Sequence, residues 1–164
     1  MLMPISMEAL LIESPEEAQK MIQKAFQDPI TDLLLKKSNL TKIQFETLMI
    51  DLLIDIISEE KIPFKQKTLF RVRKVSRGSF SRTLGQARKK VISSIFTIIL
   101  LSYLGVYDAK PFEEYQNLSE KLREYLLTME QASPTQSKVL LRRIEEELAV
   151  GIAALSHPTS LKTV

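Results

Sequence analysis

The sequence predicts an all-α fold of about six helices, with a helix-turn-helix embedded in a helical bundle. Three observations carry that prediction. No stretch alternates apolar and polar residues long enough for a half-buried strand, and no Asn-Gly or Asp-Gly pair offers a hairpin turn. Ser-Pro and Thr-x-x-Gln arrangements of the kind that start helices recur along the chain. The 164 residues are 45% apolar and 26% charged, which suits one soluble domain with a real core.

The elements follow in order. Ser14-Pro15-Glu16-Glu17 places a Ser cap before Pro at the first helical position and Glu at the third, and that helix runs to about Gln27, ahead of Pro29. A short helix is expected over 30–37. Thr41-Lys42-Ile43-Gln44 is a second capping box, opening a helix to about Glu60 that carries Ile43, Leu48, Leu52, Leu53 and Ile56. Its acids Asp51, Asp55 and Glu59 lie four apart and read as one exposed stripe. After Pro63, residues 64–74 read as a short basic helix, Ser76-Arg77-Gly78 as a turn, and a further helix begins near Ser79. Residues 112–130 are amphipathic, and Ser133-Pro134-Thr135-Gln136 opens a last helix to about Leu155. Residues 1–155 are thus expected to form a single helical domain: helix-turn-helix core 63–91, apolar helix 92–104 and C-terminal hairpin 111–155. A flexible tail, 156–164, is expected to follow.

Charge is segregated. Residues 1–60 hold five Lys and eleven acids, a balance of −6, and residues 108–164 balance at −2. Between them, residues 61–107 hold Lys61, Lys65, Lys67, Arg71, Arg73, Lys74, Arg77, Arg82, Arg88, Lys89 and Lys90 and no acid at all. A solvated helix face normally mixes both signs, so a block of +11 flanked by acidic segments is the electrostatic footprint expected of a protein that meets a polyanion.

Composition excludes much else. With no Cys, disulfides, thiolate metal sites and cysteine nucleophiles are ruled out. The single histidine, His157, followed by Pro158, removes histidine-pair zinc motifs and triads with an internal His, and reads as an exposed tail residue. The four Gly are dispersed, so no Gly-rich phosphate loop can be built. The expectation is a non-enzyme with no metal and no cofactor. The start of the chain lacks the pattern of a secretory signal. The apolar run Val91–Leu104 has fourteen residues, among them Ser93, Ser94, Thr97 and Ser102, against about 20 for a membrane span, so it reads as a buried core helix. A cytoplasmic protein without a membrane span is expected. Tyr103, Tyr107, Phe112 and Tyr115 cluster around Gly105 and read as packing at a helix corner, and Glu145-Glu146-Glu147 after Arg142-Arg143 as local surface pairing.

At 100° per residue, Phe80, Leu84, Ala87, Val91 and Ile98 fall on one side of the helix from Ser79. The opposite side shows Arg82, Gly85, Gln86, Lys89 and Ser93, flanked by Ser81, Arg88 and Lys90. Arg and Gln suit bidentate contacts with guanine and adenine edges, and hydroxyls and Lys suit phosphate oxygens. Residues 75–91, Val-Ser-Arg-Gly-Ser-Phe-Ser-Arg-Thr-Leu-Gly-Gln-Ala-Arg-Lys-Lys-Val, resemble the helix-turn-helix of sigma-factor region four and related regulators. Val75, Ser76, Gly78, Leu84, Ala87, Arg88, Lys89 and Lys90 sit where that pattern expects them. The resemblance implies DNA contact by Arg77, Ser79, Ser81, Arg82, Gln86 and Lys89, with 64–74 as the helix that crosses the phosphate backbone. It departs from the family in having Thr68-Leu69-Phe70 where an acidic Glu-Ile-Ala-like core is usual.

The functional expectation is a sequence-specific, double-stranded DNA-binding protein acting in transcription regulation. Lys65, Lys67, Arg71, Arg73, Lys74 and Lys90 would hold phosphates, and Arg82, Gln86 and Arg77 would read bases. The alternative is a non-catalytic accessory subunit whose basic block docks an acidic partner or nucleic acid without sequence choice. The apolar helix 92–104 needs cover on every side. Either a second copy supplies it, making a homodimer through this helix or through the C-terminal helices, or residues 48–57, 118–127 and 140–155 of the same chain do.

Overall fold

The structure, a computed structural model, describes residues 15–57, 63–105 and 111–156. Among them are seven α-helices, one 3₁₀ turn and no strand, so the fold is all-α. Ser14, Glu59, Lys61, Tyr107 and His157 lie outside the described residues. The contacts divide the chain into two compact units, one ending at Ile92 and one beginning at Ser93.

The first unit holds α1 (Pro15–Gln27), α2 (Pro29–Lys37), α3 (Lys42–Ile57), α4 (Phe64–Lys67), the 3₁₀ turn Thr68–Phe70 and the start of α5 (Arg77–Tyr103). Local chemistry sets most of these boundaries. The Asp28 carboxylate accepts from the Ile30 and Thr31 amides, both at 3.0 Å, and Pro29 opens α2 where its missing N–H costs nothing. The capping box of α3 closes in both directions: the Thr41 amide donates to Gln44 Oε1 at 3.1 Å and the Gln44 amide to Thr41 Oγ1 at 3.2 Å.

Ala18, Met21 and Ile22 of α1 pack with Met49, Ile50, Leu53 and Ile54 of α3, with Phe70, and with Phe80 and Leu84 of α5. Phe26 and Phe45 meet edge to face at the margin, ring centroids 5.5 Å apart. The expected apolar face of α3 is rotated: Ile43 and Leu52 are exposed, while Gln44, Glu46, Thr47 and Asp51 are buried. Asp51 is therefore no member of an exposed acidic stripe.

The predicted basic helix 64–74 also needs correction. Its α-helical part ends at Lys67, the 3₁₀ turn ends at Phe70, and the chain is extended at Arg71. Tertiary polar groups capture the segment: Glu46 Oε1 accepts the Val72 amide at 2.9 Å, and Arg71 Nη1 donates to Thr47 Oγ1 at 2.6 Å. The next helix starts two residues before the expected position, because Ser76 Oγ accepts the Ser79 amide at 3.1 Å and so caps a helix beginning at Arg77.

α5 is one unbroken helix of 27 residues, about 40 Å long at 1.5 Å per residue. It ends at Gly105, whose φ of +70° closes the helix in the left-handed region. In the second unit, α6 (Pro111–Glu130) and α7 (Pro134–Ser156) pack as a hairpin. Ser133 and Gln136 form the expected capping box between them, the Ser133 amide donating to Gln136 Oε1 at 3.0 Å. Among its described side chains, Leu122, Ile144 and Leu148 are buried. Arg142–Glu146 and Arg143–Glu147 pair one turn apart as the sequence suggests. Tyr103 does not pack at a helix corner; it is exposed. Among the described residues no helix is long and apolar enough to cross a membrane.

Candidate nucleic-acid interface

The basic block resolves into two populations. Four of its cations are engaged by groups of the same chain. Lys67 Nζ lies 2.8 Å from Asp51 Oδ1, and both side chains are buried. Arg88 reaches the other oxygen of the same carboxylate, Oδ2, from α5. Arg71 Nε sits 3.3 Å from Glu46 Oε2, an ion pair without hydrogen-bond alignment, while its Nη1 holds Thr47. Lys90 donates to Gln44 Oε1 at 2.9 Å and to the Asn39 carbonyl, tying α5 to the capping box of α3.

These contacts correct three assignments. Lys67 and Arg71 belong to the phosphate-contacting set on the sequence reading, yet they are only 6% and 7% exposed, and neutralise buried carboxylates instead. Lys90 is half-buried and engaged in the same way. Two acids of the N-terminal segment, Glu46 and Asp51, are thus answered from within the chain by the basic block.

The other described cations face solvent. Lys65, Arg73, Lys74, Arg77, Arg82 and Lys89 are exposed, and none makes an ion pair among the described residues. On α5, Arg82, Gln86 and Lys89 lie at positions i, i+4 and i+7, so they share one face over about 10 Å. Phe80, Leu84 and Ala87 bury the opposite face against the core. Ser79 and Ser81 are exposed beside them; the Ser79 carbonyl accepts from Thr83 Oγ1 at 2.9 Å. Gln86 Oε1 has one long contact, 3.5 Å, from Gln44 Nε2. An alanine Cβ at Gly78 or Gly85 would meet nothing within 4 Å, so neither glycine is required by packing inside the chain.

The segment joining the two helical parts is longer than in the ordinary motif. Residues 71–76 separate the 3₁₀ turn from α5, against a turn of roughly 3–4 residues in a helix-turn-helix. Arg73 and Lys74 project from this segment, which Glu46 and Thr47 hold in place from α3. The sequence signal that would have separated the two populations is the buried acid pair on α3, visible only once α3 is seen to turn its polar side inward.

Comparisons of the chain with protein-family models, with curated proteins and with solved structures returned no match.

Proposed function

We propose that the chain binds double-stranded DNA through Lys65, Arg73, Lys74, Arg77, Arg82 and Lys89, with Arg82 and Gln86 on the exposed face of α5 reading bases, and that it acts in transcription regulation. The observation that carries this reading is the asymmetry within the block. The acids near it, Glu46 and Asp51, are turned inward and neutralised, while six cations face outward and make no ion pair among the described residues. A surface of one sign, presented along a helix whose other side is locked to a core, is what phosphate positioning and groove readout require. Ser79 and Ser81 add hydroxyl donors to the same helix start.

The long 71–76 segment favours a second reading in one respect: without two tightly joined helices, the cations would hold a polyanion with no choice of sequence, as in an accessory subunit. A salt titration on a random-sequence duplex, repeated with single-stranded DNA, tests the first proposal. With about five phosphates neutralised, log affinity falls against log salt with a slope of about −4.5. Absence of salt-dependent duplex binding at low salt removes both DNA readings. To separate them, Arg82→Ala is assayed against a selected site and random DNA: loss of discrimination supports base reading, and equal weakening on both supports the non-specific reading.

A further inference from the structure

The second half of α5 contradicts the expectation of a buried core helix. Ile92, Ile95, Phe96, Ile99, Leu100 and Tyr103 are all exposed, Phe96 at 65% and Tyr103 at 86%. Of the residues named as internal cover, Leu53 and Ile54 are buried in the core of the first unit, and Leu122, Ile144 and Leu148 in the α6–α7 hairpin. We infer that a second copy of the chain covers this face, making an antiparallel homodimer through α5.

Area, spacing and charge argue for that occupant. At about 200 Å² for a large side chain, the exposed portion amounts to on the order of 700 Å². That exceeds the roughly 300–600 Å² of the largest patch on a typical monomer and approaches the roughly 800 Å² that each partner contributes to a standard interface. Ile92, Phe96, Ile99 and Tyr103 are separated by four, three and four residues, the a/d spacing of two helices that pack along a common seam. Residues 91–105 include no charged side chain, so self-pairing buries no ion. Two of the hydroxyls among them are satisfied within the helix, Thr97 Oγ1 by the Ser93 carbonyl and Ser102 Oγ by the Ile98 carbonyl, both at 2.9 Å, so these two enter an interface without losing a partner.

Orientation follows from the neighbouring charge. Arg88, Lys89 and Lys90 stand immediately before Val91, and no acid occurs between residues 61 and 107. Parallel pairing would set two such runs side by side. An antiparallel, two-fold contact places them at opposite ends of the seam.

The inference does not rest on DNA binding, and its test uses none. Sedimentation equilibrium of the full chain should give twice the 18.8 kDa chain mass at micromolar concentration. Phe96→Glu and Tyr103→Lys, both at exposed positions, should each weaken self-association at least 100-fold (about 2.7 kcal/mol) with unchanged helical circular dichroism. The chain has no Cys, so single-cysteine variants report orientation: mixed Phe96→Cys and Ile99→Cys chains, whose positions flank the midpoint of the seam, should cross-link to each other, and Ile92→Cys should not cross-link to itself. A monomer at every concentration overturns the dimer, as does a dimer whose mass neither surface substitution changes. A monomer that floats with phosphatidylcholine–phosphatidylglycerol vesicles assigns the face to lipid and likewise overturns it. Cross-linking of Ile92→Cys overturns the antiparallel order.

Discussion

Asp51 and Lys67, sixteen residues apart, are paired at 2.8 Å with side chains only 4% and 8% exposed. The pair joins α3 to α4, and Arg88 closes it from α5 through the second carboxylate oxygen. One carboxylate therefore ties together α3, α4 and α5, the last two of which carry the exposed Lys65, Arg77, Arg82 and Lys89.

Removing that carboxylate leaves Lys67 buried without its counter-ion. Asp51→Ala should destabilise the first unit by about 3–5 kcal/mol, measured by urea unfolding. Lys67→Met should cost less, because Asp51 keeps Arg88 and the methionine refills the volume. Equal losses for the two variants would show that Arg88 does not hold the carboxylate.

The same pair shows what the sequence makes legible and what it hides. Helix starts are local chemistry, so Asp28, Thr41–Gln44 and Ser133–Gln136 cap where their spacing says they should. Phe80, Leu84 and Ala87 are buried as their periodicity predicts. Asp51 defeats the same reasoning because an acid repeated every four residues marks a solvated face only when no cation reaches it from elsewhere. Arg71 defeats it too: helical periodicity says nothing of a carboxylate on another helix that takes the Val72 amide and ends the element early. Both misreadings lie on long-range polar pairing, and both enlarge the apparent DNA-contacting set.

Lys89 and Lys90 are neighbours with opposite roles. Lys89 faces solvent, whereas Lys90 is bound to Gln44 and Asn39. Lys89→Ala should change stability by no more than about 0.5 kcal/mol while flattening the salt slope of duplex binding by about one. Lys90→Ala should destabilise by about 1–2 kcal/mol, since it removes hydrogen bonds from a charged donor, and should leave the slope unchanged. Fluorescence anisotropy across salt, with parallel melts, distinguishes the two.

Glycine-to-alanine substitution should have opposite signs within α5 and just beyond its end. At Gly85 an added Cβ meets nothing within 4 Å, so the variant gains helix propensity and stabilises by about 0.5–1 kcal/mol. At Gly105 the left-handed φ of +70° makes the same change cost about 1 kcal/mol or more. Melting temperatures of the two variants should move in opposite directions.

The α6–α7 hairpin carries a titrating contact. Tyr125 donates its hydroxyl to Glu147 Oε2 at 2.7 Å, and Arg143 approaches the other oxygen at 3.0 Å. The tyrosine hydrogen bond, followed by the arginine, holds the Glu147 carboxyl below its usual 4.5, and the same bond raises the Tyr125 phenol above its usual 10.0. A lowered carboxyl favours the folded state fully above 4.5, and that contribution is lost as pH falls through the depressed folded value. A raised phenol favours the folded state below 10.0 and ceases to do so as pH climbs through the elevated one. Both groups sit at the surface, so the effects are small and screened by salt. The melting temperature of Glu147→Gln should fall below that of the native chain near neutral pH, and the two curves should converge in acid. Tyr125→Phe should lose the alkaline decline instead. A native–Glu147→Gln difference that persists in acid would mean that the carboxylate contributes through packing and not through its charge.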